Sequence, residues 1–259
     1  MKTSLALIPP ISVAGHYLKE RNCFLLLPHL LWDDDYHFYA KKARRPDTLI
    51  ILDNGAFEGV DISNERLIKL AIDYEVNEVV VPDVMADAAR TLERLQTFYD
   101  VVVPLLENVP TPKRYMVVVQ GTSLGECADF ITTLSTSTCA QYVTTLGLPR
   151  HLLDTTQDKF IRLKLAKHIR HWYDKRYTMH FLGVNPVWPA EVGYLHQYQV
   201  RSVDTSMPFV FAYHKRRVGT DTPRLERPRR YFDLRENQLD EEKLAYNVFR
   251  MSRWVEDGI

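Results

Sequence analysis

Arg201-Ser202-Val203-Asp204-Thr205-Ser206 is the stretch on which the fold turns. Approached through Tyr198-Gln199-Val200, it has the length of a short buried strand that ends on a carboxylate. A parallel strand covered on both faces is apolar along its run, so an acid belongs where the strand gives way to a loop. In a barrel of parallel strands, that end carries the catalytic groups. A local reading competes with this one, because Asp followed by Thr and Ser is also a common cap or turn. The choice depends on whether the same grammar recurs elsewhere in the chain.

It recurs along the whole chain. Eight candidate strands can be counted: Ser4 to Pro9, Cys23 to Pro28, Leu49 to Asp53, Glu78 to Pro82, Tyr115 to Gln120, Tyr142 to Gly147, His180 to Val184 and Gln199 to Asp204. Between most of them lie helical periodicities, including Asn64 to Tyr74, Ala86 to Tyr99, Ser123 to Leu134, Asp154 to Tyr173 and Pro189 to Tyr198. Strand alternating with helix in this way predicts an α/β fold, a (β/α)₈ TIM barrel, with a doubly wound open sheet as the alternative. The first connection is too short for a full helix, and Pro9-Pro10 predicts an irregular loop there. Asp33-Asp34-Asp35 suits a helix start, and Lys41 to Pro46 a stop. The catalytic barrel is placed at residues 1–212. Residues 213–259 form a basic segment and a C-terminal helix, Asp240 to Trp254, packed on it.

Composition sets the outer bounds. The chain has 259 residues, 46% of them hydrophobic, which suits one barrel with a large core. Lys+Arg and Asp+Glu both number 33, so no global charge advertises a nucleic-acid partner and any basic surface is local. Such a surface lies in Tyr213 to Arg235, where Lys215, Arg216, Arg217, Arg224, Arg227, Arg229, Arg230 and Arg235 outnumber the acids. Cys23, Cys127 and Cys139 form no CxxC pair, which argues against a disulfide framework or a cysteine-rich zinc site and fits a reducing cytoplasm. The histidines form no HxH or HxxxH pair, so neither a metal nor a cofactor is expected. The apolar run at the start is too short for a signal peptide before Pro9, and no segment reaches the roughly 18 apolar residues of a membrane span.

The strand ends carry the chemistry. Leu49-Ile50-Ile51-Leu52 runs into Asp53-Asn54-Gly55-Ala56-Phe57-Glu58-Gly59, and Val79-Val80-Val81-Pro82 into Asp83-Val84-Met85. Met116 to Val119 precedes Gln120-Gly121, Val143 to Leu146 precedes Gly147-Leu148-Pro149-Arg150, Phe181-Leu182 precedes Gly183, and Val203 precedes Asp204. Each has an ordinary explanation as a turn, a polar rim or a close packing of helix on strand. Together they place three carboxylates, an amide, glycines and an aromatic ring on one rim. Two acids in different roles, one a nucleophile and one a proton shuttle, suit glycosyl transfer. A third acid with an amide can read the edge of a planar heterocycle while an aromatic ring holds its face.

In order and spacing, Asp53-Asn54-Gly55-Ala56-Phe57, Pro82-Asp83-Val84-Met85, Val119-Gln120-Gly121, Leu146-Gly147-Leu148, Leu182-Gly183-Val184 and Val203-Asp204-Thr205-Ser206-Met207-Pro208 resemble the motifs of the tRNA-guanine transglycosylases. The resemblance covers residues 48 to 208. It implies that Asp204 is the nucleophile that attacks C1′ of a guanosine and that Asp53 is the general acid/base. Asp83 would then bind the N1/N2 edge of the base, with Gln120, Gly121, Gly147 and Leu148 on its O6 side. Phe57, Leu182 and Met85 would pack about it, and a 7-deazaguanine enters the same pocket second.

Two departures shape the expectation. The C-x-C-x2-C zinc site of the family has no counterpart, and Met85 stands where the bacterial tRNA enzymes carry Cys. The short chain, with no added RNA-binding domain, is more similar to compact phage-encoded relatives that exchange guanine in DNA for a 7-deazaguanine such as preQ0 or a derivative. DNA is therefore the expected substrate, with tRNA the alternative, and Lys215 to Arg230 the expected phosphate contacts. A noncatalytic deazapurine- or nucleic-acid-binding barrel, or a barrel hydrolase of another N-glycoside, are the other readings. The oligomeric state is left open, a homodimer included.

Overall fold

Alternation along the strands sorts their side chains between two cores. Leu5, Leu7, Phe24, Leu26, Ile50, Leu52, Val79, Val81 and Val117 pack outward among helical residues, while Ala6, Cys23, Leu25, Ile51, Val80, Met116 and Val118 cluster within the sheet. Strands covered on both faces have this composition. The computed structural model describes residues 2–19, 21–106, 114–174, 176–184, 188–219 and 225–258. Its strands are β1 (Ser4–Leu7), β2 (Cys23–Leu26), β3 (Leu49–Leu52), β4 (Glu78–Val80), β5 (Arg114–Val118), β6 (Val143–Pro149), β7 (Thr178–Leu182) and β8 (Ser202–Thr205).

All ladders are parallel, in the order β1-β8-β7-β6-β5-β4-β3-β2, with β1 and β2 side by side at the seam. This is a nearly closed (β/α)₈ barrel, as the strand-helix alternation predicts. Among the described residues no backbone ladder joins β1 to β2. The register sets Ala6 beside Asp204, Phe181 beside Val203 and Gly147 beside His180, which brings the carboxyl ends of the strands onto one rim.

The helices are α1 (Ile11–Ala14), α2 (Asp34–Ala43), α3 (Asn64–Asp73), α4 (Ala88–Leu106), α5 (Leu124–Thr136), α6 (Leu152–Thr156), α7 (Ile161–Trp172), α8 (Trp188–Leu195), α9 (Met207–Tyr213) and α10 (Glu241–Ser252). Several start where a side-chain oxygen takes an orphan backbone N–H. Asp33 accepts from Tyr36 N at 3.0 Å, Ser63 from Arg66 N at 3.3 Å, Ser123 from Glu126 N at 3.1 Å and Asp240 from Lys243 N at 3.0 Å. The single helix expected over Asp154 to Tyr173 is instead α6 and α7. Gln157 takes a left-handed φ of 55°, and Asp158 Oδ1 then accepts from Phe160 N at 3.0 Å, which resets the chain direction. β7 also begins two residues earlier than expected, at Thr178.

Only the four-residue α1 and a 3-10 turn follow β1, so the outer layer is thin there. The C-terminal segment covers it. Ser12 Oγ donates to Leu234 O at 2.7 Å, Arg21 pairs with Glu256 at 3.0 Å, and Tyr17 meets Phe209 edge to face. Asn247 ties α10 to the segment after α9, donating to Pro208 O and Arg216 O and accepting from Val218 N at 2.7 Å.

Candidate active site

Three strand ends turn carboxylates into one cavity of about 530 Å³ at the carboxyl rim, lined by Asp53, Asp83 and Asp204 together with Phe57, Met85 and Leu182. After β3, Gly55 makes the turn at φ +78°, where an added Cβ would lie 2.9 Å from Val60 Cβ. That turn places Asp53 Oδ2 to accept from Gly55 N at 3.1 Å and folds Phe57 and Glu58 back over the cavity. Phe57 is 67% exposed and Met85 50%, so both stand at the mouth, whereas the three acids are buried.

Burial pushes the Asp53 carboxyl up to about 8, with the nearby charges of Glu58, Asp204 and Asp83 adding to it and the Gly55 N–H opposing it. Asp53 therefore holds a proton at neutral pH. Asp83 is also raised by burial, against the hydrogen bonds it accepts from Asn54 Nδ2 at 2.7 Å and from Gln120 Nε2. Each Asp83 oxygen keeps a further lone pair for a ligand N–H. Asp204 Oδ1 accepts from Gly183 N at 3.0 Å and contacts His180 Nε2 at 3.0 Å, while Oδ2 has no hydrogen-bond partner among the described residues. Gly183 reaches that position with φ +73°.

Four expected contacts lie elsewhere. Gln120 is fully buried behind Asp83; its Oε1 accepts from Ala86 N at 2.8 Å and meets His151 Nε2 at 2.8 Å. With its oxygen and one N–H engaged and no part of it lining the cavity, it supports Asp83 rather than reading a ligand directly. Ala86 takes a left-handed φ of 59° to make its bond, a strained conformation of the kind found around functional sites. Gly121 does not line the cavity and packs against Cys127, and Leu148 is buried in the outer core. Gly147 lies beneath the cavity floor, where a Cβ would be 3.0 Å from Leu182 Cδ1 and 3.1 Å from Met116 Sδ.

The basic segment is divided. Arg227 lines the cavity, pairs with Glu58 at 3.1 Å, and stacks its guanidinium within 5.7 Å of Phe57 and 5.1 Å of Phe232. Its charge is therefore committed to the rim. Arg229 and Arg230 are exposed nearby in sequence, whereas Lys215, Arg216 and Arg217 follow α9, and Arg217 pairs with Glu242. Arg224 lies outside the described residues.

The sequence pattern alone does not single out His180, Ser202 or Glu58. Ser202 stands two residues before Asp204 and His180 two before Leu182, so a period of two counted back from the rim finds both inside the barrel. Glu58, raised by burial against the pull of Arg227, sits within a motif whose aspartate and phenylalanine draw the eye first. Further back, Arg162 pairs with Glu191 and donates to Gly183 O at 2.7 Å and to Leu148 O and Leu182 O at 3.3 Å, which fixes the turn that presents Gly183 N–H. Among the described residues no group of three or more His, Cys, Asp or Glu side chains is placed to hold a metal ion.

No protein-family model and no curated protein matches the chain. Solved barrels do. A protein from Coccidioides immitis assigned as a fructose-1,6-biphosphate aldolase aligns over 100% of this chain and 93% of its own, with 11% identity and a TM-score of 0.58. A D-psicose 3-epimerase, solved in the presence of D-fructose, aligns over 98% and 99% with 11% identity and a TM-score of 0.52. A fructuronate-tagaturonate epimerase from Cohnella laeviribosi aligns over 82% of this chain and 59% of its own, with 8% identity and a TM-score of 0.52. At these identities the likeness is one of fold.

Proposed function

We propose that the chain is a glycosyltransferase, a guanine transglycosylase that replaces guanine in DNA by a 7-deazaguanine through a covalent ester on Asp204. The observation that carries this reading is the meeting of Asp53, Asp83 and Asp204 in one cavity, each in a different electrostatic setting. Carboxyls with such different neighbours take separate roles. A lone pair of Asp204 Oδ2 forms the bond to C1′ as the C1′–N9 bond breaks and its electrons leave with guanine. The proton that neutralises the departing base comes from Asp53. In the second half, N9 of the 7-deazaguanine bonds to C1′, the ester C1′–O bond breaks onto Asp204, and the N9 proton returns to Asp53. Asp83, backed by Asn54 and Gln120, takes the N–H edge common to both bases, while Phe57 and Leu182 hold their faces.

The aldolase and epimerase neighbours lend no chemistry. No lysine stands among the described residues that line the cavity, so a lysine Schiff base has no residue there. On duplex DNA the guanosine has to leave the stack to reach C1′. The test is to incubate the protein with radiolabelled guanine, then with a guanine-containing DNA oligonucleotide or with tRNA, and to look for base incorporation and a denaturation-resistant adduct. Incorporation into DNA supports the reading. Incorporation into tRNA alone moves the substrate, and free guanine with an abasic site makes the protein a hydrolase.

Two predictions arise here. Gly147→Ala keeps an allowed backbone but pushes Leu182 toward the cavity. Titration calorimetry should show affinity for the deazaguanine base falling by about tenfold, in line with overpacking costs of about 1–3 kcal/mol. Replacing Arg229 and Arg230 by Ala should make the slope of log affinity for duplex DNA against log salt shallower by about 0.9 for each phosphate that the variant no longer neutralises. An unchanged slope removes both from the interface.

A further inference from the structure

The barrel interior below Asp204 is polar. His180 on β7 and Ser202 on β8 are both fully buried, with His180 Nδ1 2.7 Å from Ser202 Oγ and Nε2 3.0 Å from Asp204 Oδ1. Arg201 Nε donates to Ser202 Oγ at 3.4 Å, and its guanidinium is held by Glu78 and by Thr145 Oγ1 at 3.1 Å. Counting donors gives this chain a direction. Nε2 faces a carboxylate, which only accepts, so the ring carries a hydrogen there, and Ser202 Oγ, which also meets Arg201 Nε and Cys23, is free to give its own hydrogen to Nδ1. The other tautomer sets a ring lone pair against a carboxylate oxygen.

We propose that His180 is the positioning residue of Asp204. It donates from Nε2 to Oδ1 beside the Gly183 N–H and so keeps Oδ2 as the attacking atom. This rests on the glycosyl-transfer reading of the site and adds a consequence to it. Two donors on Oδ1 stabilise the carboxylate more than the ester, whose carbonyl oxygen is neutral and a weaker acceptor. His180 therefore speeds the departure of Asp204 in the second half-reaction, whereas the same hold on the free carboxylate does not speed its attack in the first. Asp53 and Glu58 of the β3 turn and Cys23 of β2 feel the Asp204 charge, and the Arg201–Glu78 pair lies below.

The test uses His180→Phe, which removes the donor, and His180→Gln, whose amide nitrogen can replace it. Single-turnover formation and breakdown of the ester on a guanine-containing DNA oligonucleotide are followed. In the free protein, nitrogen-15 spectra of labelled histidine assign the tautomer, with the His180 signal identified by its loss in His180→Gln. The expected result is hydrogen on Nε2 in the wild type, with a signal that shifts in Asp204→Ala. In His180→Phe breakdown should slow about tenfold more than formation, and ester should accumulate. His180→Gln should recover most of the loss. Nε2 without a hydrogen, or an unchanged ratio of breakdown to formation in His180→Phe with His180→Gln no better, overturns the proposal. If the wild type forms no ester on any nucleic acid, the base-exchange reading fails, and the ring spectrum alone then decides whether His180 donates to Asp204. Should His180→Phe not fold, the comparison of His180→Gln with the wild type and the ring spectrum still decide it.

Discussion

Asp204→Asn is expected to leave the barrel folded and to lower base exchange by about 10⁴-fold or more, the scale on which loss of a nucleophile is felt. The substitution is nearly isosteric, and an amide oxygen can still accept from Gly183 N and His180 Nε2, the two groups that hold the side chain. No buried donor is orphaned, so melting should shift by only a few degrees. The variant lacks the anionic Oδ2 that makes the ester. The denaturation-resistant adduct with DNA should vanish, and guanine exchange should vanish with it. Exchange near the wild-type rate in a folded Asp204→Asn protein would remove Asp204 from the mechanism.

Asp53→Asn should slow exchange by about 10² to 10⁴-fold, the usual contribution of a positioned proton donor, and should at the same time stabilise the protein. The folded carboxyl titrates near 8 and an ordinary one near 3.8. Between those values the folded chain binds a proton that the unfolded chain has released. The stability of the wild type therefore falls as pH rises from about 4 to about 8 and levels off above that. Asparagine has no such proton, so the melting temperature of Asp53→Asn should exceed that of the wild type by a margin that grows from pH 5 to pH 8. Wild-type exchange should in turn decline above about pH 8, as Asp53 loses the proton it donates. A melting difference that does not change with pH contradicts the buried, protonated carboxyl.

The barrel was legible because its strands are short runs of Leu, Ile and Val closed by Asp, Asn, Gly or Pro, a pattern that only a sheet buried on both faces requires. The three aspartates were legible for the same reason, since an acid that follows such a run has to stand at the rim. The polar groups inside the strands were harder to see. His180 and Ser202 interrupt apolar runs at inward positions, and their partners Asp204 and Arg201 become evident only with the register of β7 on β8. Gln120 and Arg227 misled in the opposite sense. An amide at a strand end and a guanidinium in a basic segment look ready for a ligand, but Ala86, His151 and Asp83 occupy the first, and Glu58 and Phe57 the second. Those partners come from other loops. The break between α6 and α7 was hidden because the apolar spacing continues across Gln157, whose φ of 55° has no sequence signature comparable to glycine.

The arrangement of β1 also bears on how the molecule is made. Its backbone is laddered to β8, with Ser4 beside Ser202, and among the described residues not to its neighbour β2. During synthesis β1 emerges long before β8, its one ladder partner among the described residues, and its cover, supplied by Leu234 and the residues around Glu256, arrives later still. Pairings this distant in sequence are slow to form and leave strand edges open to other chains meanwhile. Asp204, the proposed nucleophile, sits on β8, so the site is complete only when the barrel is.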